Sequence, residues 1–166
     1  LLIKSSVDNN PQAIKPKIDV LINHVRAISR NLHPVMFEEL GLQDSIEQLV
    51  ERTQEYHQFV LNTEIDYKPC LTCNDELQLY RIIQESVNNI IKYSKAEAAI
   101  ITINQYKEKL VIEVKDNGKG FDVENTLKNK NSFGLHNIIE RANAINGKAY
   151  ITSSQNGTTI KIEIQI

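Results

Sequence analysis

Apolar residues recur at three- and four-residue steps in four parts of the chain, which is the spacing of one buried face of an α-helix. The predicted helices span residues 14–31, 42–56, 75–94 and 135–146. Pro34 follows the first helix, and Gly41 breaks the chain before the second. Asn74 is the expected N-cap of the third helix, and Gly147 takes the place of the left-handed residue that closes the fourth.

Alternating apolar and polar residues predict β-strands between and after these helices. The predicted strands span residues 58–66, 98–106, 109–116, 148–154 and 158–166. Lys107-Glu108 joins two of them as a hairpin, and residues 155–157 form a second turn. Residues 117–133 are rich in Asn, Lys and Gly without a usable period, and long loops of this kind often act as lids over a site.

Because most neighbouring strands are joined by hairpins, the pattern favours an α+β fold over a doubly wound sheet. We expect a two-layer sandwich, in which helices cover one face of a mixed, mostly antiparallel sheet. Residues 1–40 read as a helical segment and residues 41–166 as the main domain.

Composition excludes several classes of function. The 166 residues carry a formal net charge of −2, so a nucleic-acid partner is not expected. No apolar run approaches the roughly 18 residues that a membrane-spanning helix needs, and the first residues do not resemble a signal peptide. We therefore expect a cytoplasmic segment without direct membrane contact.

The two cysteines, Cys70 and Cys73, are separated by two residues, a spacing that can indicate zinc or thiol redox chemistry. A structural zinc site needs four ligands, and no second pair completes one. With Asn74 as the cap, the first cysteine would not lie at the helix N-terminus, where a reactive thiolate is favoured. We interpret both as ordinary loop residues.

A polar stripe follows one side of the third predicted helix. At 100° per residue, Glu85, Asn89 and Lys92 fall within a narrow arc that also holds Gln78 and Arg81, opposite an aliphatic arc. On periodicity alone, this stripe is the solvated side of an ordinary helix. A ligand-binding role would need a second element that brings a ligand to it.

Two glycine-containing segments are candidates for that element. In the first, Asp116 ends a strand and Gly118 and Gly120 follow, where backbone can approach a ligand closely. In the second, Gly134 precedes Leu135 at a helix start, where free N–H groups suit an anion. Taken singly, these are also a hairpin turn and a helix cap. Neither matches the GxxxxGK[ST] or GxGxxG phosphate-binding motifs.

In this order, the motifs resemble the ATP-binding (HATPase) domain of two-component sensor histidine kinases, in the superfamily that includes gyrase and MutL-type ATPases. The resemblance covers about residue 58 to the end, and it implies the Bergerat-type ATP-binding fold with ATP and Mg²⁺ as ligands. The matching motifs are Glu85-x-x-x-Asn89-x-x-Lys92, Asp116-x-Gly118-x-Gly120, Gly134-Leu135 and Gly157-Thr158.

The resemblance implies a role for each of these residues. At the phosphates, Asn89 would be a Mg²⁺ ligand, Glu85 would orient or deprotonate the attacking imidazole, and Lys92 would offset phosphate charge. At the base, Asp116 would accept a hydrogen bond from the adenine amino group, supported by Thr158 through water. Gly118 and Gly120 would let the chain pass close under the base. The helix that begins at Gly134-Leu135 would face the phosphates with its N-terminus.

Residues 25–49 resemble the second helix of the dimerisation hairpin in kinases whose response regulators are of the NarL type. The acceptor histidine of that subfamily lies in the first hairpin helix, within a motif absent from this sequence. His24 and His33 do not replace it, because His33 sits in the subfamily's Leu-His-Pro turn and His24 lacks an adjacent acid.

The resemblance thus implies a catalytic fragment of a kinase that dimerises and passes phosphate to a response regulator, and it leaves open a membrane anchor elsewhere in the full-length protein. Two departures are Tyr93, where many relatives have His, and Ser132, where many have Gly. Two alternatives remain, which are an anti-sigma-factor-type serine kinase and a regulatory domain that binds nucleotide without phosphotransfer.

Overall fold

A computed structural model describes residues 37–129 and 133–166. The predicted helix at 14–31 and Ser132 lie outside the described residues. The chain divides into two compact units, residues 1–39 and 40–166, and the site lies in the second. The assignment of residues 1–40 to a dimerisation segment stays a prediction.

Four α-helices are present in the described residues. Helix α1 is Phe37–Tyr56, α2 is Cys73–Asn89, α3 is Val123–Lys128 and α4 is Phe133–Ala144. Within α1, Gly41 has φ 75° and ψ −176°, which interrupts the helix at the predicted break. Helix α2 continues into a single π-helical turn, Ile90–Ser94. None of these helices combines the length and hydrophobicity that a membrane crossing requires.

Five strands form one mixed sheet in the order β1-β2-β3-β5-β4. They are Val60–Asp66 (β1), Ala98–Gln105 (β2), Lys109–Asp116 (β3), Gly147–Ser154 (β4) and Gly157–Gln165 (β5). Strand β1 pairs in parallel with β2 across the α2 crossover, whereas the other pairs are antiparallel. The α+β fold with a mostly antiparallel sheet is confirmed.

The sheet has one buried and one open face. The buried face carries the aliphatic residues of the three central strands, which are Ala99, Ile101, Ile103, Leu110, Ile112, Val114, Ile160, Ile162 and Ile164. On the open face, Lys161 Nζ lies 2.9 Å from Glu163 and 3.9 Å from Glu113, and such partly exposed pairs add little stability. Helices cover only the buried face, as the alternation predicted.

Helices α2 and α4 pack against each other and run antiparallel. The first turn of α4, at Gly134, lies beside Glu85 and Asn89 near the end of α2. Two turns later, Arg141 Nη1 donates to Gln78 Oε1 at 2.6 Å near the start of α2. The aliphatic residues between them are buried, namely Leu79, Ile82, Ile83, Val87, Ile138 and Ala142. The polar stripe of α2 therefore borders α4.

The predicted N-cap of α2 is wrong. Thr72 is the cap, since its Oγ1 accepts from Asp75 N at 3.2 Å and donates to Asp75 Oδ2 at 2.8 Å. A Thr in extended conformation with an acid three residues on supplies this reciprocal arrangement, so the helix begins earlier and Cys73 is its first residue. Both cysteines are free and exposed.

The predicted role of Gly147 is also wrong. Asn146 is the left-handed residue after α4, with φ 54°, whereas Gly147 begins β4. Asn tolerates this conformation because its short polar side chain can bond locally. Gly147 instead packs tightly, because a Cβ there would lie 3.0 Å from Ile164 Cγ1 and 3.1 Å from Glu163 O.

The predicted polar loop contains a short helix. Asp122 caps α3 by accepting from Asn125 N at 3.0 Å, and Asn125 Nδ2 donates to its other carboxylate oxygen at 2.6 Å. The helix has no buried residue. Capping therefore organises the first part of this loop without anchoring it in the core.

Candidate functional site

The predicted stripe and the second glycine segment meet in the structure. A Cβ added at Gly134 would collide with Glu85 Oε1 and would lie 3.4 Å from both Asn89 Nδ2 and Asn89 Oδ1. A larger residue at this position would force the flexible Glu85 side chain to move, so glycine allows the first turn of α4 to lie against Glu85 as it does here. Glu85, Asn89 and the N-terminal end of α4 therefore form one cluster, which we call the acidic end of the site.

Asn89 carries an unsatisfied donor. Its Nδ2 is buried and has no hydrogen-bond partner, although buried polar groups are nearly always paired. A ligand oxygen would satisfy this donor and leave Oδ1 available to a cation. Mg²⁺ fits such a site, because it binds through few protein oxygens while keeping waters and substrate phosphates. The described residues contain no group of three His, Cys, Asp or Glu that could hold a metal alone.

The backbone changes immediately after Asn89. Ile90–Ser94 form a π-helical turn, and Lys95 leaves it in the left-handed conformation with φ 56°. Single π turns inside α-helices are frequent at functional sites. The α-helical wheel used for the prediction therefore applies only up to Asn89. It does not give the direction of Lys92, which is exposed in the π turn.

Asp116 is buried at the end of β3, with 5% of its surface exposed. Its Oδ1 accepts from Gly118 N at 2.7 Å. Burial raises the pKa of the Asp116 carboxyl, and the N–H groups of Gly118 and Thr158 partly offset that rise. The carboxylate is thus an oriented, poorly solvated acceptor, suited to a ligand that donates hydrogen bonds.

The glycines after Asp116 permit close backbone contacts on two sides. A Cβ at Gly118 would lie 2.5 Å from Ser94 O, and Lys119 N donates to that same oxygen at 2.9 Å. Gly120 has φ 62°, and a Cβ there would collide with Ser154 O. This segment therefore joins the π turn of α2 to the end of β4, and with Asp116 and Thr158 it forms the base end of the site.

Ser153 is a site residue that the sequence did not reveal. Its Oγ accepts from Phe121 N at 2.9 Å and lies 2.9 Å from Thr158 Oγ1. One hydroxyl thus fixes both the start of the loop and the predicted site threonine. The alternation in β4 and β5 placed Ser153 and Thr158 on the inner face, but only their pairing in register brings the hydroxyls together.

We expect Ser153→Ala to weaken binding of an ATP analogue by about two- to tenfold, the effect of one or two lost hydrogen bonds. Competition with a fluorescent nucleotide would measure it. Thr152→Ala is the matched control, because Thr152 neighbours Ser153 on the exposed face of the same strand. Equal affinity in the Ser153 variant and the wild type would contradict the role given to this hydroxyl.

The structure thus places most of the predicted residues in two groups, one at the last turns of α2 and the other beside the π turn that follows it. Glu85, Asn89 and Gly134 meet at the acidic end, and Leu135 contributes packing there, since its side chain is only 8% exposed. The base end holds Asp116, Gly118, Gly120 and Thr158. The π turn connects the two ends.

Comparison with known proteins identifies the family of this arrangement. A family model described as "Histidine kinase-, DNA gyrase B-, and HSP90-like ATPase" matches residues 74–166. The sensor histidine kinase ComP of Bacillus subtilis (strain 168) is 33% identical over 147 residues, covering 88% of this chain and 19% of ComP. The histidine-protein kinase/phosphatase DegS of Brevibacillus brevis is 35% identical over 144 residues, covering 86% of this chain and 37% of DegS.

Solved structures agree on the fold. The histidine kinase AdeS of Acinetobacter baumannii superposes with a TM-score of 0.65 at 16% identity, covering 93% of this chain and 82% of AdeS. A blue-light activated histidine kinase of Erythrobacter litoralis gives a TM-score of 0.65 at 13% identity, covering 74% of this chain and 60% of that domain. The chain belongs to the sensor histidine kinases and contains their histidine kinase-, gyrase B- and HSP90-like ATPase domain.

Proposed function

We propose that the chain is the catalytic ATP-binding part of a sensor histidine kinase, which transfers the γ-phosphoryl group of ATP to a histidine and thence to a response regulator. The observation that carries the proposal is the meeting of Glu85 and the unpartnered Asn89 amide with the start of α4. The chain spans 19% to 37% of the two relatives described above, so the activity assigned to the whole kinase is part of the proposal.

At the acidic end, the chain positions phosphates and the acceptor. Asn89 Oδ1 is the proposed Mg²⁺ ligand and its Nδ2 donates to a phosphate oxygen, while the first N–H groups of α4 face the phosphates. Bound Mg²⁺ would supply neutralisation of the charge on the transferring phosphoryl group. Glu85, one turn before Asn89, orients the acceptor imidazole and takes its proton. Lys92, exposed in the π turn, would offset phosphate charge.

At the base end, the chain recognises adenine. Asp116 accepts a hydrogen bond from the exocyclic amino group, and Thr158 supports this contact through water. Gly118 and Gly120 let the backbone pass beneath the base. The two N–H groups that bind Asp116 keep its carboxylate fixed, so recognition needs little rearrangement.

The partners follow from the same assignment. We infer a homodimer in the full-length kinase, formed through residues 1–40 and an acceptor helix outside this sequence, and a response regulator of the NarL type. The resemblance of residues 25–49 to that subfamily supports the finer assignment. We place the domain on the cytoplasmic side, with any membrane anchor elsewhere in the full-length protein.

Radiolabelled ATP tests the proposal. The longer kinase that includes the acceptor helix should become labelled on histidine and should pass the label to its response regulator, whereas residues 1–166 alone should stay unlabelled. Label on His24 or His33 of the fragment would contradict its assignment as an acceptor-free part. Label on serine of a partner protein would favour the serine kinase alternative.

A further inference from the structure

A second unsatisfied donor lies on the polar stripe of α2. Within residues 37–129 and 133–166, only Asn89 Nδ2 and Arg81 Nη2 are buried side-chain donors without a hydrogen-bond partner. They lie four residues on either side of Glu85, so all three share one helix face. The proposed nucleotide contacts account for Asn89 and leave Arg81 without a function.

Arg81 belongs to a pair of guanidiniums held by neutral side chains. Arg81 Nη1 donates to Gln84 Oε1 at 2.8 Å, and Arg141 Nη1 donates to Gln78 Oε1 at 2.6 Å. Burial lowers the pKa of the Arg81 guanidinium, the neighbouring Tyr80 partly offsets this fall, and the charge of Arg141 adds a smaller lowering. The amides thus orient the pair without compensating its charge.

A counter-ion is missing from this pair. In the part of the chain that the structure describes, neither arginine forms an ion pair with a carboxylate. Glu85 lies one turn from Arg81, but its Oε1 faces Gly134 instead. Arg81 is only 9% exposed, and a guanidinium buried to this extent without a counter-ion is costly. An arrangement of this kind suits an oxyanion brought by a ligand.

The position of the pair argues against the nucleotide as the source of that oxyanion. Eight residues separate Arg81 from Asn89, which is about 12 Å along the helix axis. The Arg81 guanidinium is held beside Gln84, because its Nη1 donates to Gln84 Oε1, and Gln84 lies more than one helical turn before Asn89. Glu85 lies between the two, and the polypeptide that presents the acceptor imidazole to Glu85 is the molecule that reaches the Arg81 side.

We propose that Arg81 and Arg141 form a binding subsite for a carboxylate of the polypeptide that presents the acceptor histidine. This inference rests on the proposed kinase function. Arg141 is half-buried and meets the carboxylate first, and the buried, unpartnered Nη2 of Arg81 donates to it once the side chains that cover this atom have shifted. The subsite positions the acceptor polypeptide and takes no part in the movement of protons or phosphate.

Arg81→Gln in the full-length kinase tests the subsite. We expect autophosphorylation to fall by roughly 30-fold or more, the effect of truncating one side of a desolvated charge pair, while the affinity for an ATP analogue changes by less than about twofold. Arg81→Lys should recover only part of the rate, because lysine keeps the charge but lacks the planar fork. Arg52→Gln, at an exposed arginine, is the matched control.

Two further measurements separate binding from a structural role. The melting temperature of the Arg81→Gln variant of this domain should equal or exceed that of the wild type, because the variant loses an uncompensated buried charge. Replacing the carboxylates of the acceptor helix one at a time should identify one whose loss adds no further defect to Arg81→Gln.

Three results would overturn the subsite. They are an unchanged autophosphorylation rate, a lowered melting temperature with a matching loss of rate, and an ATP-analogue affinity reduced tenfold, which would assign the oxyanion to the nucleotide. Absence of ATP-analogue binding in the wild type would instead refute the proposed function, so the two failures are distinguishable.

Discussion

Asp116→Asn is expected to reduce binding of an ATP analogue by about 100-fold or more while stabilising the ligand-free domain. The carboxylate accepts from Gly118 N at 2.7 Å and, in our proposal, from the adenine amino group. Asparagine can keep the first bond, but its amide N–H₂ would then face the adenine amino group, so two donors would meet without an acceptor. Sites built around one hydrogen bond discriminate strongly against such a change.

The gain in stability follows from the pKa shift. Burial raises the pKa of Asp116 in the folded state above its usual value of 3.8, so the folded state binds the proton more tightly than the unfolded state. The favourable contribution of Asp116 is fully present below pH 3.8 and is lost as pH rises through the folded-state pKa. At neutral pH we expect the neutral asparagine to raise the free energy of unfolding, because the cost of burying the charge exceeds the benefit of the N–H bonds from Gly118 and Thr158.

Urea unfolding at neutral pH and near pH 4, combined with nucleotide competition, measures both effects. The stability difference between variant and wild type should shrink at the lower pH, where Asp116 becomes protonated. A variant that binds the ATP analogue like the wild type would remove Asp116 from the base site. A variant that is less stable than the wild type at neutral pH would show that the charged carboxylate stabilises the folded domain.

Asn89→Ala is expected to lower phosphoryl transfer in the full-length kinase by about 10²- to 10³-fold, the range for removing one positioned group that acts on transition-state charge. It should leave the ligand-free domain about as stable as before. Because Asn89 Nδ2 is buried without a partner, the variant loses a donor that already lacks a hydrogen bond, which offsets the lost packing.

The matched control for this variant is Asn88→Ala, which changes the neighbouring residue of the same type. Transfer of phosphate in single-turnover conditions and the Mg²⁺ dependence of analogue binding would be compared across both variants. Equal transfer rates in Asn88→Ala and Asn89→Ala would argue against a specific role for Asn89. A large loss of stability in Asn89→Ala would show that the amide belongs to the core.

Much of the fold was evident from the spacing of apolar residues, because a two-layer domain needs helices with one apolar face and strands that alternate apolar and polar residues. Strands β2 and β5 alternate in burial, since one sheet face is covered by helices and the other is open, whereas β3 buries Leu110, Val111 and Ile112 in succession. Residues 98–106 and 109–116 were predicted within one residue. The helix boundaries were less accurate. Thr72 begins α2 as its N-cap, and Asn146 follows α4 in the left-handed conformation. Neighbouring residues of similar type could have taken either role, so the sequence did not single these two out.

Candidate site residues could be proposed from the sequence, but their geometry could not. Motif order predicts Asp116 and Asn89 as site residues, whereas a helical wheel assumes a constant α-helical repeat and could not include the π turn after Asn89. Ser153 joins the site only through strand register. The buried state of Arg81 depends on the packing of α2 against α4, and no local pattern marks an arginine that lacks a counter-ion.

Calorimetric titration of this domain with a non-hydrolysable ATP analogue and Mg²⁺ tests the central claim most directly. We expect saturable binding of the ATP analogue with one site per chain. A guanine nucleotide analogue should bind much more weakly, because guanine has a carbonyl oxygen at the position where the adenine amino group donates a hydrogen bond to Asp116. Absence of saturable binding, or equal binding of the two analogues, would contradict the assignment of Asp116 and Asn89 to an ATP site.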